Sequence, residues 1–449
     1  MSATAGGLHA RTVPLDYGPD ALQFDGSPTV LFDRPGLTLV GWGTAQLVEA
    51  DAADAALRAI PCDDSVGGPG SGVVAIGALP FTGAMAGLLV IPRFTMGIAS
   101  DADGITRRWA TAVGPADEPL PDTTELFDSV IWQYGTAPEA ADVGTQVTVR
   151  DVSTTLDSAG YRAEVARAVE AMQAPGAALR KVVLSRPLSI ELSGALPPMP
   201  VLRRLRAAEP TCTVFAMPTP DGTFLGASPE LLVARHGERV TCHPLAGTVA
   251  RGTTARNDAD AQGRLAGSDK ERAEHRYVVD AIADKLTPFC DDLAVPSAPS
   301  LVAFRSVAHL GTRIVGRLTS PFPTALELLE CLHPTPAVGG TPRAEALAAI
   351  ATYEPDDRGY WAGPVGWADA RGDGEWMIGI RSALLNAVDP GAAADTDADA
   401  DAAPTTVLSL RAGSGIVAGS DPEAEAEETN VKLATVLDTV IPGVSVELR

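Results

Sequence analysis

The sequence predicts an α+β fold, and three observations carry the prediction. Residues 1–150 read as short apolar strands punctuated by Pro and Gly. The middle of the chain places hairpin turns at Asp221-Gly222 and His236-Gly237. Amphipathic helices interrupt these strands, the clearest running from Asp269 to Leu286. With 449 residues the chain can hold one large or two ordinary domains around a sizeable core.

Composition narrows the class. Hydrophobic residues make up 45% and charged residues 20%, a globular balance. Acidic residues outnumber basic ones by 57 to 34, for a net charge of −23, which speaks against non-specific nucleic-acid binding or an anionic membrane as partner. A small anionic substrate stays open, because a site can gather its few cations locally. No run of about 18 apolar residues appears. The start of the chain lacks a basic stretch followed by an apolar one. Five cysteines are scattered singly without a CxxC pair, the usage of a reducing compartment. A soluble cytoplasmic protein is expected.

The elements follow in order. TVLFD, LTLVGWG, GVVAIGALP and GLLVIPRFTMGI read as strands, with helix-like spacing from Gln46 to Ala59 between them. This first part, 1–150, carries no cluster of reactive residues and reads as scaffold; residues 151–449 hold the chemistry. Asp157 opens a helix over 158–173, which Pro175-Gly176 closes. Lys181 to Arg186 is a short strand that starts with a cation, and a helix spans about 199–208. Glu230 follows Pro229 within the hairpin region. Residues 251–270 are polar and read as a surface loop. LVAFRSVAHLGTRIVG is strand-like, and TALELLECL is a helix ending at His333, which orders the tight loop HPTPAVGGTPR. GYWAGPVGWADA and EWMIGIRSALL are two further strands around a turn at 372–374. Residues 388–404 are acidic and of low complexity, and read as a disordered loop. A last helix (423–440) and a short strand complete the chain.

One stretch near the end stands out: Ala412 to Lys432, AGSGIVAGSDPEAEAEETNVK. Its glycines read as two small-residue turns, and they admit close backbone approach and φ > 0. Ser420 or Asp421 can cap the helix, with Pro422 at its first position. Glu425 and Glu428 then share one helical face, with Lys432 a turn further on. Glu271 and Glu274 repeat the arrangement on the helix from Asp269. An acidic helix start is ordinarily a solvated end favoured by the macrodipole. Twice-repeated ExxE predicts more: if the two ends meet, four carboxylates need a cation such as Mg²⁺ between them. His275 points about 100° away from Glu274 round the helix and reads as structural.

Taken together, KVVLSR, GASPELL, PLAGT, SDKERAEH, AHLGT, HPTPAVGGTPR, GYWAGPVGW, IRSALL and the AGSG stretch resemble the chorismate-utilising enzymes across about residues 155–445. The resemblance implies large, mostly antiparallel sheets with outer helices around a deep central site, the N-terminal part belonging to the same fold. Pro244 to Thr248 reads PLAGT, with Ala246 where aminodeoxychorismate enzymes carry a nucleophilic lysine. The HPTPAVGG loop also departs from the anthranilate type. Water is the nucleophile that remains. The resemblance therefore implies Mg²⁺-dependent conversion of chorismate to isochorismate, by water attack at C2 and loss of the 4-hydroxyl. The product would feed menaquinone or siderophore synthesis.

Residue by residue, the resemblance makes Lys181 the base towards water and Glu230 the acid towards the leaving hydroxyl, the latter needing a raised pKa. Glu274 and Glu428 would hold Mg²⁺, with Glu271 and Glu425 acting behind them through bound water. Gly247, Thr248, His309, Ala337, Arg381, Gly413, Gly415 and Lys432 would contact substrate. A monomer without an amidotransferase subunit is implied. Ala337 and Trp361 favour release of isochorismate over elimination of pyruvate to salicylate, which stays an alternative. A catalytically inactive, ligand-binding relative is the other.

Overall fold

The computed structural model describes residues 7–18, 20–23, 28–101, 103–120, 147–252, 254–388, 405–444 and 446. Within these residues twenty strands are linked into one hydrogen-bonded sheet system, and three more (Leu245–Ala250, Val307–Gly311, Ser300–Ala303) form a small separate sheet. The pairings are antiparallel except where Leu8–Pro14 meets Cys62–Asp64. Helices cover this scaffold from outside, an α+β arrangement without a closed barrel.

Strands of the first 150 residues pair directly with later ones. Leu31 to Asp33 lie against Val214 to Ala216, and Val74 to Ala78 against Val365 to Asp369. Trp109, Trp367 and Trp376 are among the largest side chains fully buried between these layers. The helix Ser158–Gln173 starts where Asp157 accepts the Gly160 N–H at 2.7 Å. It buries Tyr161, Val165, Ala168 and Met172, a stripe spaced for one helical face. Burying each large apolar chain contributes roughly 1.5–3 kcal/mol.

Two neighbouring strands carry the site. Lys181–Ser193 and Thr405–Val417 pair antiparallel over their whole lengths, with Lys181 opposite Val417 and Val183 opposite Gly415. The AGSG residues thus lie in extended strand, not in a turn as their glycines suggest, and their need for glycine is spatial. The helix Pro422–Val440 then packs back on Thr405–Val417.

Other expectations are corrected. Residues 255–267, read as surface loop, form a helix capped by Thr254, whose side chain accepts the Asn257 N–H at 3.2 Å. Asp258, Ala261 and Leu265 give it a narrow buried stripe that its polar composition hid. The helix-like stretch from Gln46 is strand as far as Glu49, and helix only over Ala50–Ala59. Arg343–Tyr353 is a helix not foreseen. EWMIGIRSALL breaks into two strands, Gly374–Ile378 and Ser382–Val388, because Arg381 takes φ 51° between them. The acidic loop lies, from 389 on, outside the described residues, as does most of the expected terminal strand.

Candidate active site

Two helix N-termini and the start of one strand meet here. Ser268 caps the helix Asp269–Leu286 by accepting the Glu271 N–H at 3.3 Å. Asp421 caps Pro422–Val440 by accepting the Ala424 N–H at 2.9 Å. Ser420 instead accepts the Val417 N–H at 3.1 Å. These caps put Glu271, Glu274, Glu425 and Glu428 in the opening turns, where the macrodipole favours anions. The structure brings the two pairs together. Burial, then the charge of Glu274, pushes the Glu271 carboxyl up to about 7. Burial and the neighbouring Glu428 push Glu425 up as well.

Sequence reasoning missed Lys270, which ties these ends. Its Nζ lies 2.9 Å from Glu425 Oε1 and 3.6 Å from Glu271 Oε1. Burial pulls Lys270 down, but Glu425, Glu271 and Glu274 outweigh it and hold it above the ordinary lysine value.

Lys181 is 1% exposed, and its Nζ lies 3.0 Å from Glu274 Oε1. The backbone of Gly415 makes room for both. A Cβ there would stand 2.1 Å from Glu274 Oε1 and 3.1 Å from Lys181 Cε, which no side chain can do. Gly413 is equally confined, since a Cβ would meet Leu184 O at 2.7 Å and Trp361 at 3.0 Å. Gly247 needs glycine conformationally, with φ +74°, and faces Glu271.

Glu230 is buried, and burial pushes its carboxyl up to about 7 against the lowering influence of the Leu245 backbone, Lys181, Lys432 and Arg381. Lys432 Nζ reaches Glu428 Oε1 at 2.7 Å and Gly413 O at 2.8 Å. Arg381 lies with its guanidinium 4.4 Å over the Phe304 ring, and its Nη2 meets His309 Nε2 at 2.8 Å. Because arginine can only donate, His309 Nε2 accepts, so Nδ1 carries the proton and donates to Gly247 O at 3.1 Å. Burial, with Arg381 beside it, holds His309 well below its ordinary value, hence neutral. Arg381 Nη1 is buried without a partner, and no carboxylate among the described residues pairs with this arginine. Such a buried cation is prepared for an anion from outside.

Glu230, Gly247, Thr248, Glu274, His309, Ala337, Arg381, Gly413, Gly415, Glu428 and Lys432 line one cleft, with Trp361 and Arg411 among its other walls. Lys181, Glu271 and Glu425 stand just behind that lining. The cleft is tight, with about 100 Å³ of free cavity. A hollow of about 700 Å³ beside Phe81 and the Arg343–Tyr353 helix is larger and is also lined by charged residues, Glu330, Arg343, Glu354, Asp356, Asp357 and Arg358, but none of the ExxE carboxylates, Glu230, Lys432 or Arg381 reaches it. Chemistry decides between them in favour of the smaller. His275 donates or accepts at Thr312 Oγ1, 2.7 Å away, and burial with Lys181 nearby lowers it to about 4. His333 bonds Phe81 O at 3.0 Å, fastening its loop to the N-terminal part.

The carboxylates that could hold a cation here are Glu274 and Glu428 in the cleft, with Glu271 and Glu425 beside them. Among the described residues no three His, Cys, Asp or Glu side chains assemble into a ready cation cage. Calcium takes about six to eight oxygens, whereas Mg²⁺ keeps several waters and needs one or two carboxylates. Acids that push one another's pKa up are stabilised by a dication between them.

A family model described as chorismate binding enzyme matches residues 84–441. The chain belongs to the chorismate-binding enzyme family. Within the family, a Mycobacterium tuberculosis protein provisionally named isochorismate synthase MenF is 36% identical over 411 residues, covering 90% of this chain and 93% of the relative. Isochorismate synthase DhbC of Bacillus subtilis is 42% identical over 266 residues, 58% of this chain and 62% of the relative. The solved structure of MenF, the menaquinone-specific isochorismate synthase from Escherichia coli, superposes with a TM-score of 0.78 at 24% identity, over 97% of this chain and 95% of that one. That likeness bears on the fold. As a chorismate-binding enzyme the chain has its cleft built from widely separated stretches, from Val183 to Val436, all within the matched region.

Proposed function

We propose that this chorismate-binding enzyme is an isochorismate synthase, converting chorismate to isochorismate by water attack at C2 and departure of the 4-hydroxyl. The observation that carries the reading is the pairing of buried Lys181 and Glu230 with a cleft that holds an unpaired Arg381 and a carboxylate cluster. Relatives named isochorismate synthase support the same activity.

Chorismate carries two carboxylates, and the cleft offers two kinds of anchor. Arg381 would take the enolpyruvyl carboxylate, with His309 fixing the guanidinium and the strand at Gly413–Gly415 close by. Mg²⁺, held by Glu274 and Glu428 with Glu271 and Glu425 behind, would supply a Lewis acid for the ring carboxylate. Lys181 would accept the proton of the attacking water. Its Nζ is engaged by Glu274 Oε1 at 3.0 Å, so the base role requires that pair to loosen. Glu230, protonated near neutrality because of its burial, would give its proton to the leaving hydroxyl. Thr248, Gly247 and Ala337 would shape the ring pocket, and Lys432 would offset Glu428.

Purified protein incubated with chorismate and Mg²⁺, with an EDTA control and chromatographic separation, tests the proposal. Isochorismate without salicylate or pyruvate is the expected outcome. Salicylate with equimolar pyruvate would assign the elimination step to this cleft as well. Absence of turnover with and without EDTA would leave an inactive, ligand-binding relative.

A further inference from the structure

Behind the Trp361 wall of the cleft lies a charge cluster that the proposed chemistry does not use. Glu354 ends the Arg343–Tyr353 helix and accepts the Ser185 N–H at 2.8 Å. Its carboxylate pairs with Arg358 and, at 3.3 Å, with Arg411 Nη1. All three side chains are at most 7% exposed. Two guanidiniums therefore share one carboxylate, and one positive charge is left over. The remaining bonds of Arg411 go to uncharged acceptors, Ser185 Oγ at 3.2 Å and the Asp357 carbonyl at 3.1 Å. Asp356 and Asp357 also act on it electrostatically, but they lie in solvent, where their effect is screened.

The surplus belongs to Arg411 and not to Arg358. Arg358 is stacked on Phe81 and Trp361, and it donates to Val183 O at 2.7 Å and Val338 O at 2.8 Å. Those bonds weld the lysine strand to the HPTPAVGG loop and take Arg358 away from the cleft. Arg411 lines the cleft. It precedes Gly413 and Gly415 by two and four residues in the same strand, so all three face one side. On that side Gly413 meets Trp361, and Gly415 meets Glu274 and Lys181.

We infer that Arg411 is a specificity-determining residue, whose uncompensated charge favours a substrate carrying a second negative group towards the Trp361 end of the cleft. Arg381 approaches from the His309 and Phe304 side, so a dianion meets fixed cations from both directions. This rests on the proposed isochorismate synthase reading and adds to it a residue that recognises substrate charge.

The test uses full-length Arg411→Met and Arg411→Lys with chorismate and Mg²⁺, after a thermal melt to establish folding. Arg411→Met leaves Glu354 and Arg358 as a balanced pair. Its KM for chorismate should rise about tenfold, as expected for loss of a charged contact. Its kcat should stay within roughly threefold, the signature of lost ground-state binding. Arg411→Lys should recover most of the KM. Added salt should raise the KM of the wild type more than that of Arg411→Met. A purely structural arginine predicts otherwise, since lysine cannot reproduce the bonds to Glu354, Ser185 and Asp357 together; both variants would then fail alike, in kcat as much as KM. If Arg411→Met does not fold, Arg411→Gln gives the same comparison. Wild-type turnover with equal KM in the uncharged variant overturns this inference alone. A wild type that leaves chorismate unchanged overturns the function beneath it.

Discussion

Lys181 Nζ and Glu274 Oε1 lie 3.0 Å apart, both side chains buried, beside a Gly415 at which there is no room for a Cβ. One carboxylate thus serves the candidate base and the candidate cation site together. Lys181→Ala should lower chorismate turnover by about 10²–10⁴-fold, the range for general-base loss. It should leave Mg²⁺ binding intact or tighter, because Glu274 is released. Breaking such a buried pair costs about 3–5 kcal/mol, so a melting curve belongs with the rate measurement. Turnover like wild type in a folded variant would remove Lys181 from the base role.

Glu230 gives the pH dependence. Its folded-state carboxyl titrates at about 7, above its ordinary 4.5, because it is buried. The role as acid needs the protonated form, so kcat should fall as pH rises through about 7. The same shift acts on stability: between 4.5 and about 7 the folded protein holds a proton that the unfolded chain has lost. This group therefore makes the protein less stable as pH rises across that window. Glu230→Gln should abolish the limb in the pH–rate profile and cost about 10²–10⁴-fold in kcat. An unaltered profile in that variant would assign the leaving-group proton elsewhere.

Much of this site was legible because its residues sit in contiguous motifs. Asp269 to Leu286 announces its apolar face and its ExxE pair within one stretch, and the structure places that helix over the same residues. Lys181 heads a strand legible from the β-forming residues of KVVLSR, though the structure carries it on to Ser193. What escaped notice acts at a distance. Lys270 meets Glu425 across 155 residues, and nothing local distinguishes it from a solvated lysine on an amphipathic helix. Arg411 and Glu354 are 57 residues apart, and their meaning lies in a charge count that exists only once Arg358 is folded in beside them. Tyr161, whose hydroxyl lies 2.8 Å from Ser414 Oγ, meets it across 253 residues, and nothing local marks that contact. Of the two properties the AGSG glycines suggest, the freedom of φ is unused at Gly413 and Gly415, and the close approach allowed by the missing Cβ is what matters.

Gly415 makes that distinction measurable. In Gly415→Ala the new methyl would have to displace Glu274 or Lys181, and a displacement on the order of 1 Å at reacting groups costs about 10²-fold. Gly419→Ala, four residues on, meets nothing within 4 Å and serves as the control. Turnover should collapse in the first and persist in the second, with both folded by circular dichroism. Equal activity would show that the strand can move away from Glu274 at little cost.

The cation site turns on Glu428, because it comes from the second helix. Glu271 and Glu274 are held together by their own helix whether or not the two ends cooperate. Glu428→Gln keeps the shape and removes one charge, while Lys432 loses its 2.7 Å partner and keeps Gly413 O at 2.8 Å. If the ion is shared between the helices, Mg²⁺ affinity should fall at least about tenfold, a loss of roughly 1.4 kcal/mol or more. Titration calorimetry without substrate, or the Mg²⁺-dependent rise in melting temperature, measures this independently of turnover. Glu427→Gln, on the solvent side of the same helix, should leave the titration as it was. An unchanged isotherm in Glu428→Gln would mean that the helix from Asp269 alone supplies the ligands, and that the second ExxE pair serves Lys270 and Lys432 instead.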